Sequence, residues 1–316
     1  MPTHIDLLCG NYQSVVRWNQ RAIAADEKFL ARAGAGNFYT FYRVHNLHFA
    51  AYGAMFLAQY ANAMQAAQAL IDTIPEALLR VESPPMADYL EGYVGMKQHV
   101  MIRFGRWHDI VEQTAPEDRE LYCMTYAMMC YAKGVAHAAL GNVVASAAAR
   151  DEFMEACKRV PATRRIHNNL CIDLLGVAES MLDGELAYRR GEYEEAFASL
   201  RESVQRADSL PFDEPWGWMQ PPRHALGALL LEQNRHHEAE AVYRTDLGID
   251  DSLPRARQFP DNVWSLHGLH ECLERRGAVT EAQYIKQRLT LAKALADVPV
   301  TRSCFCRQET NCCGGA

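Results

Sequence analysis

Strand signals are nearly missing from this sequence. No β-branched runs alternate with polar residues, and no Asn-Gly or Asp-Gly turn joins two such runs. A sheet-based fold is therefore not expected. Long apolar runs are missing too: none reaches the roughly 18 residues of a membrane-spanning helix, so no membrane role is expected. Nor is there an excess of basic residues. The 32 Lys and Arg are outnumbered by 39 Asp and Glu, a formal net charge of -7. That balance argues against nucleic acid or an anionic membrane surface as partner, because nothing supplies a large basic face. The N-terminal stretch has no basic head followed by an apolar core, so a secretory signal is not expected. A Walker glycine loop, a His-Glu-x-x-His, a Cys-x-x-Cys pair and a Gly-x-Ser-x-Gly elbow are all lacking. Phosphoryl-transfer, zinc-protease and hydrolase readings thus have no support.

Cysteine, by contrast, is plentiful, with ten in 316 residues. Cys9, Cys123, Cys130, Cys157, Cys171 and Cys272 stand singly in helical patterns and read as small buried hydrophobes. Without a secretory signal a disulfide framework is not expected, and a reducing, cytoplasmic setting is. Cys304, Cys306, Cys312 and Cys313 crowd the last residues, which lack helical periodicity. Cys-x-Cys with Cys-Cys suits a soft metal or redox-labile disulfides.

Hydrophobic residues make up 49% and charged residues 22% of the chain, the balance of a folded protein. Apolar residues recur at helical spacing, alanine is common, and prolines fall between the periodic segments. One local pattern repeats. In Leu186-Ala-Tyr-Arg-Arg-Gly191-Glu-Tyr193-Glu-Glu-Ala196 a helix ends at glycine and a second starts at once with an aromatic residue. The same grammar recurs at Gly10-Asn-Tyr12, Gly105-Arg-Trp107 and Gly141-Asn142. Looser copies lie at Asn234 and Gly277, and a copy without glycine at Gln59-Tyr60-Ala-Asn-Ala63. Intervals of roughly 36 to 50 residues are those of helix-pair arrays. Glycine permits the left-handed turn that ends the first helix, and small residues let the paired helices approach. Each pair exposes a flank that only its neighbour covers, so the array folds by stacking.

These features resemble tetratricopeptide repeats (TPR), with the Gly191 unit as the clearest copy. The expected fold is all-α, a right-handed TPR-like α-solenoid of about seven irregular antiparallel helix pairs. The first helices are expected near 2–9, 38–58, 86–104, 119–140, 168–190, 222–233 and 262–276. Their partners are expected near 12–33, 61–74, 107–113, 143–159, 193–209, 236–246 and 279–296. The helical repeat domain would span 1–296 and the Cys-rich tail 297–316.

A narrower set of segments is Met1-Pro-Thr-His4-Ile5, His45-Asn-Leu-His48-Phe49, Gly184-Glu185-Leu186, Phe212-Asp213-Glu214-Pro215, Asn262-Val-Trp264-Ser-Leu-His-Gly268-Leu269 and Ser303-Cys304-Phe305. In order and spacing they are similar to a bacterial and fungal tetratricopeptide family of the TTC-thirty-eight type. Members of that family carry further helical repeats before the first of these segments. Here the resemblance starts at Met1. It implies the fold and an exposed flank on the first pair, which a homo-oligomer would cover. It implies little about activity.

Two functional expectations follow. In the first, the concave groove of a cytoplasmic binding protein holds a peptide, a protein partner or a small ligand, with Tyr42, Phe49, Tyr52, Trp216 and Trp264 in the groove. In the second, the chain is a metal-dependent enzyme acting on a small molecule. His45 and His48 share one helix face at i, i+3, and His4 lies on the first helix of the preceding pair. Three imidazoles on a concave face suit copper, iron or zinc and leave a position open for substrate. Glu185, Glu214 and Arg223 are the candidate catalytic residues. Acids and an arginine beside Trp216 and Trp218 can grip a polar ligand or serve as general acid and base. The bland alternatives are packed core histidines and a charge-complemented helix start.

Overall fold

A computed structural model describes residues 2–34 and 39–308 of the chain. The elements in order are α1 (Pro2–Leu8), α2 (Tyr12–Ala33), α3 (Thr40–Phe56), α4 (Tyr60–Thr73), α5 (Glu76–Leu79), α6 (Met86–Val94), α7 (Met96–Arg103), α8 (Trp107–Val111), α9 (Cys123–Ala139) and α10 (Val143–Cys157). Then come the short strands β1 (Arg165–Ile166) and β2 (Asn169–Leu170), followed by α11 (Cys171–Arg190), α12 (Tyr193–Ser209), α13 (Pro222–Glu232), α14 (His236–Asp246), α15 (Val263–Arg276) and α16 (Val279–Lys293). Neighbouring helices pack in pairs: α1 with α2, α3 with α4, α7 with α8, α9 with α10, α11 with α12, α13 with α14 and α15 with α16. Among the described residues no helix is long and apolar enough to cross a membrane.

The turns obey the grammar of the sequence. At Gly191 the backbone is left-handed, with φ 81°, and its N–H bonds back to the last turn of α11. The Tyr193 ring then lies 5.2 Å from that of Tyr188, on the helix just completed. In the copies without glycine, Ala58 and Asn234 take the left-handed position, with φ 56° and 59°. A Cβ there costs about 1–2 kcal/mol. At Ala58 complete burial offsets that strain, and the Ala58 carbonyl accepts from the Asp297 amide at 3.2 Å.

Small residues set the helix spacing. The Tyr243 ring of α14 slots between Gly227 of α13 and Gly268 of α15. A Cβ would come within 2.4 Å of the ring at Gly227 and within 2.2 Å at Gly268.

Segments distant in sequence meet. The buried Trp264 indole donates to the Met55 carbonyl at 2.7 Å, and the Phe56 and Phe259 rings stack at 5.2 Å. The α3 end of the chain is thereby fixed to α15. Residues 297–308 lie across the helices as a strap. The Asp297 carboxylate accepts from the Tyr60 and Ala61 amides at 2.6 and 2.9 Å. It satisfies donors at the start of α4 that its preceding residue, Gln59, leaves without a side-chain cap. Arg103 holds the Ser303 carbonyl at 2.9 Å, and Arg307 pairs with Glu271 at 2.8 Å.

Three local details differ from expectation. Residues 165–170 form a small hairpin, so the helix expected from 168 starts at Cys171. The helix expected over 86–104 is divided at Gly95, a residue of low helix propensity. The helix expected over 119–140 is shorter, starting at Cys123. Phe38, Cys312 and Cys313 lie outside the described residues.

Candidate functional site

Four segments bring imidazoles and carboxylates together. His4 lies on α1, and His45 and His48 on α3. The tight turn between β1 and β2 adds His167, whose backbone is left-handed with φ 48°. The Asp213 carboxylate binds the next two residues, accepting from the Asn168 amide at 3.2 Å and the Asn169 side chain at 3.1 Å. That pins the loop before α13 onto the hairpin. Glu214, the next residue, then meets His4, with Oε2 2.7 Å from Nδ1.

The rings form a compact group. His45 Nδ1 lies 3.2 Å from His167 Nε2. The His4 and His45 rings stack at 5.5 Å, and Phe49 floors both, at 4.7 and 4.9 Å. His48 lies beneath, completely buried, edge-on to Tyr93 at 5.6 Å. Among the described residues neither His48 nitrogen has a hydrogen-bond partner.

Burial favours the neutral form of His45, His48 and His167. Desolvation, then the neighbouring His167 and His4, push His45 down to about 4. Burial likewise pushes His48 well below its ordinary value. His167 is lowered by burial, with Asp213 opposing, and Asp213 is raised by its own burial. A neutral imidazole with an available nitrogen is the metal-binding form. Two nitrogens on one tetrahedral ion, each about 2.0–2.1 Å from it, are roughly 3.3 Å apart. The His45–His167 separation matches that and equally fits an N–H···N hydrogen bond. Among the described residues no three His, Cys, Asp or Glu side chains are already gathered closely enough to hold one ion.

The other candidate residues lie elsewhere. Arg223 makes a two-pronged contact with Asp208, not with Asp213 or Glu214; its Nη1 is 2.8 Å from Asp208 Oδ1. Glu185, on α11, is completely buried and lines a separate cavity that includes none of His4, His45, His48 and His167, together with Arg103, His224, Cys304 and Cys306. Of the five groove aromatics, Tyr42 is 51% exposed, whereas Phe49, Tyr52, Trp216 and Trp264 are buried. The Trp216 indole is tied to the Ala207 carbonyl at 3.2 Å. The structure therefore joins His4, His45, His48 and Glu214, with Phe49 against the imidazoles, and leaves Glu185 and Arg223 apart.

His167 escaped the sequence reading because no helical spacing links it to α3. Its signal is local. In His167-Asn168-Asn169 these residue types tolerate left-handed backbone and mark a turn.

A second buried polar chain stands in the interior. Arg103 donates to His224 Nδ1 at 2.8 Å, so His224 Nε2 carries the proton toward Asp246, 3.0 Å away. Ser265 and Asn262 also donate to that carboxylate, at 2.6 and 3.1 Å. Asp246 is thereby held below the usual carboxylate range, although burial, the largest influence, opposes it.

No family model matches the chain, and no curated protein matches it.

Proposed function

We propose that this protein is a metal-dependent enzyme of small-molecule chemistry, with a copper, iron or zinc ion held by His45, His167 and His4. The observation that carries this reading is the 3.2 Å approach of His45 Nδ1 and His167 Nε2 beside a His4 ring anchored by Glu214. A carboxylate on one ring nitrogen of a ligand histidine fixes its tautomer and leaves the other nitrogen to bind. His4 has that arrangement. Turning its free Nε2 toward the pair completes three donors, and His48 waits beneath with both nitrogens unpaired among the described residues. Glu214 and Asp213 then orient the imidazole donors and supply carboxylates for moving a proton. In this reading the scaffold is the right-handed TPR-like solenoid expected of the TTC-thirty-eight type. A broad peptide groove has less support, since four of its five proposed aromatics are buried.

The test is metal content and calorimetric titration of the full chain with Zn(II), Cu(II) and Fe(II). One ion per chain is expected, with binding lost in His45→Ala and His167→Ala while helicity is kept. A chain that takes up no metal, or a double variant that binds as well as the parent, would overturn the reading.

A further inference from the structure

The strap carries a second, separate set of reactive groups. Cys304 and Cys306 flank Phe305 in a tight turn closed by the Arg307 amide on the Cys304 carbonyl at 3.3 Å. A turn of this kind keeps its first and fourth Cα atoms within about 7 Å. Its first and third then fall within the roughly 4.4–6.8 Å that a disulfide spans. Cys304 is half-buried and Cys306 is buried, and both thiols are free. The Cys306 amide donates to the Cys304 sulfur at 3.3 Å. Both cysteines line a small, partly open cavity of ≈ 20 Å³, with Arg103, Glu185 and His224 among its other walls. That volume holds about one water-sized molecule.

Glu185 is the second, independent sign of a site. It is completely buried, and among the described residues its carboxylate oxygens find no hydrogen-bond donor beyond the Cys306 thiol. A buried carboxyl left so is costly unless something is served by it.

We propose that Cys304 is a site of oxidation by hydroperoxides, with Cys306 as the resolving thiol and Glu185 as the proton donor. The Cys304 thiolate attacks one peroxide oxygen. An S–O bond forms, the O–O bond breaks, and the sulfur is oxidised as the peroxide is reduced. The departing hydroxide takes a proton from the Glu185 carboxyl and leaves as water, and the proton that Cys304 released restores that carboxyl. Cys306 then attacks the sulfenic sulfur. The S–S bond forms, the S–O bond breaks, and the oxygen leaves as a second water with the Cys306 proton.

The electrostatics agree with these roles. Burial pushes the Cys304 thiol up, but the Cys306 thiol and the Arg103 charge outweigh it and hold the group below its ordinary value. Burial raises the Glu185 carboxyl, against the Arg189 charge and the Cys306 thiol, which favours its protonated form.

The experiment treats the full chain with hydrogen peroxide, blocks remaining thiols and maps the peptides without reduction. The expected product is an intrachain Cys304–Cys306 disulfide, formed at least about tenfold faster than Cys9 or Cys157 is oxidised. Cys306→Ser should stop at a Cys304 sulfenic acid that dimedone captures. Glu185→Gln should slow the first step, with circular dichroism confirming its fold. Oxidation of Cys9 or Cys157 as fast as Cys304 would overturn the proposal. So would pairing of Cys304 with Cys312 or Cys313. Because the parent chain alone yields the map, a variant that fails to fold does not decide the result.

Discussion

Glu214 Oε2 lies 2.7 Å from His4 Nδ1, although 210 residues separate them. The contact joins the first helix to the loop before α13. It also occupies Nδ1 and leaves Nε2 as the His4 nitrogen that could bind an ion. Glu214→Gln keeps the shape but loses the charge. It is expected to weaken zinc binding by about 10–100-fold, the usual cost of losing such a partner. Calorimetric titration at neutral pH checks this, and unchanged affinity would show that Glu214 does not orient the ligand.

Acid should destabilise the fold. His99 is buried edge-on to Trp218 at 4.6 Å, and burial pushes it down to about 3. Burial also holds His267 at about 4. Unfolded histidine titrates near 6.5, so between that pH and the folded values the unfolded chain binds more protons. Stability is complete above about 6.5 and is lost as pH falls, by roughly 1.4 kcal/mol per unit for each such histidine. Urea unfolding at pH 7, 6 and 5 measures the slope. In His99→Leu the slope should be shallower, and an unaltered slope would mean His99 is not among the groups responsible.

Gly268→Ala should be costly despite alanine's better helix propensity. The added Cβ would come within 2.2 Å of the Tyr243 ring, whose other side is closed by Gly227. Overpacking of this kind costs about 1–3 kcal/mol. The comparison is with Gly191→Ala, where nothing lies within 4 Å of the added Cβ and only the left-handed backbone resists. Urea midpoints of the two variants separate packing from backbone strain.

Asp297 caps a helix from 236 residues away. Asp297→Ala should cost about 1 kcal/mol, the usual loss of an N-cap acceptor. Hydrogen exchange should then rise at the Tyr60 and Ala61 amides. If those amides stay protected, some other group caps α4.

Much of the helical organisation was legible locally. The Gly191, Gly141 and Gly277 turns announced themselves, because a helix that must reverse within two or three residues needs a left-handed position. Even the copy lacking glycine was visible, although nothing there foretold that Ala58 would accept the strain. The hairpin at 165–170 was not legible, since two-residue strands have too little alternation to register. Within the candidate site, the i, i+3 spacing placed His45 and His48 on one helix, and residue type marked His4 and Glu214. That His4 touches Glu214, that His167 touches His45, and that Arg223 turns instead to Asp208 had no signature in spacing.

By itself the sequence determined most of the turns that end the helices and that the helices pair with their neighbours. Those outcomes rest on interactions within a few residues, and their energies are decided before distant segments meet. Only the tertiary structure decided that Trp264 anchors to Met55, that residues 297–308 lie as a strap over the helices, and that four imidazoles and two carboxylates come together from separate segments. Such contacts depend on the summed geometry of many small interhelical angles. Each is fixed by side-chain packing that no local pattern encodes.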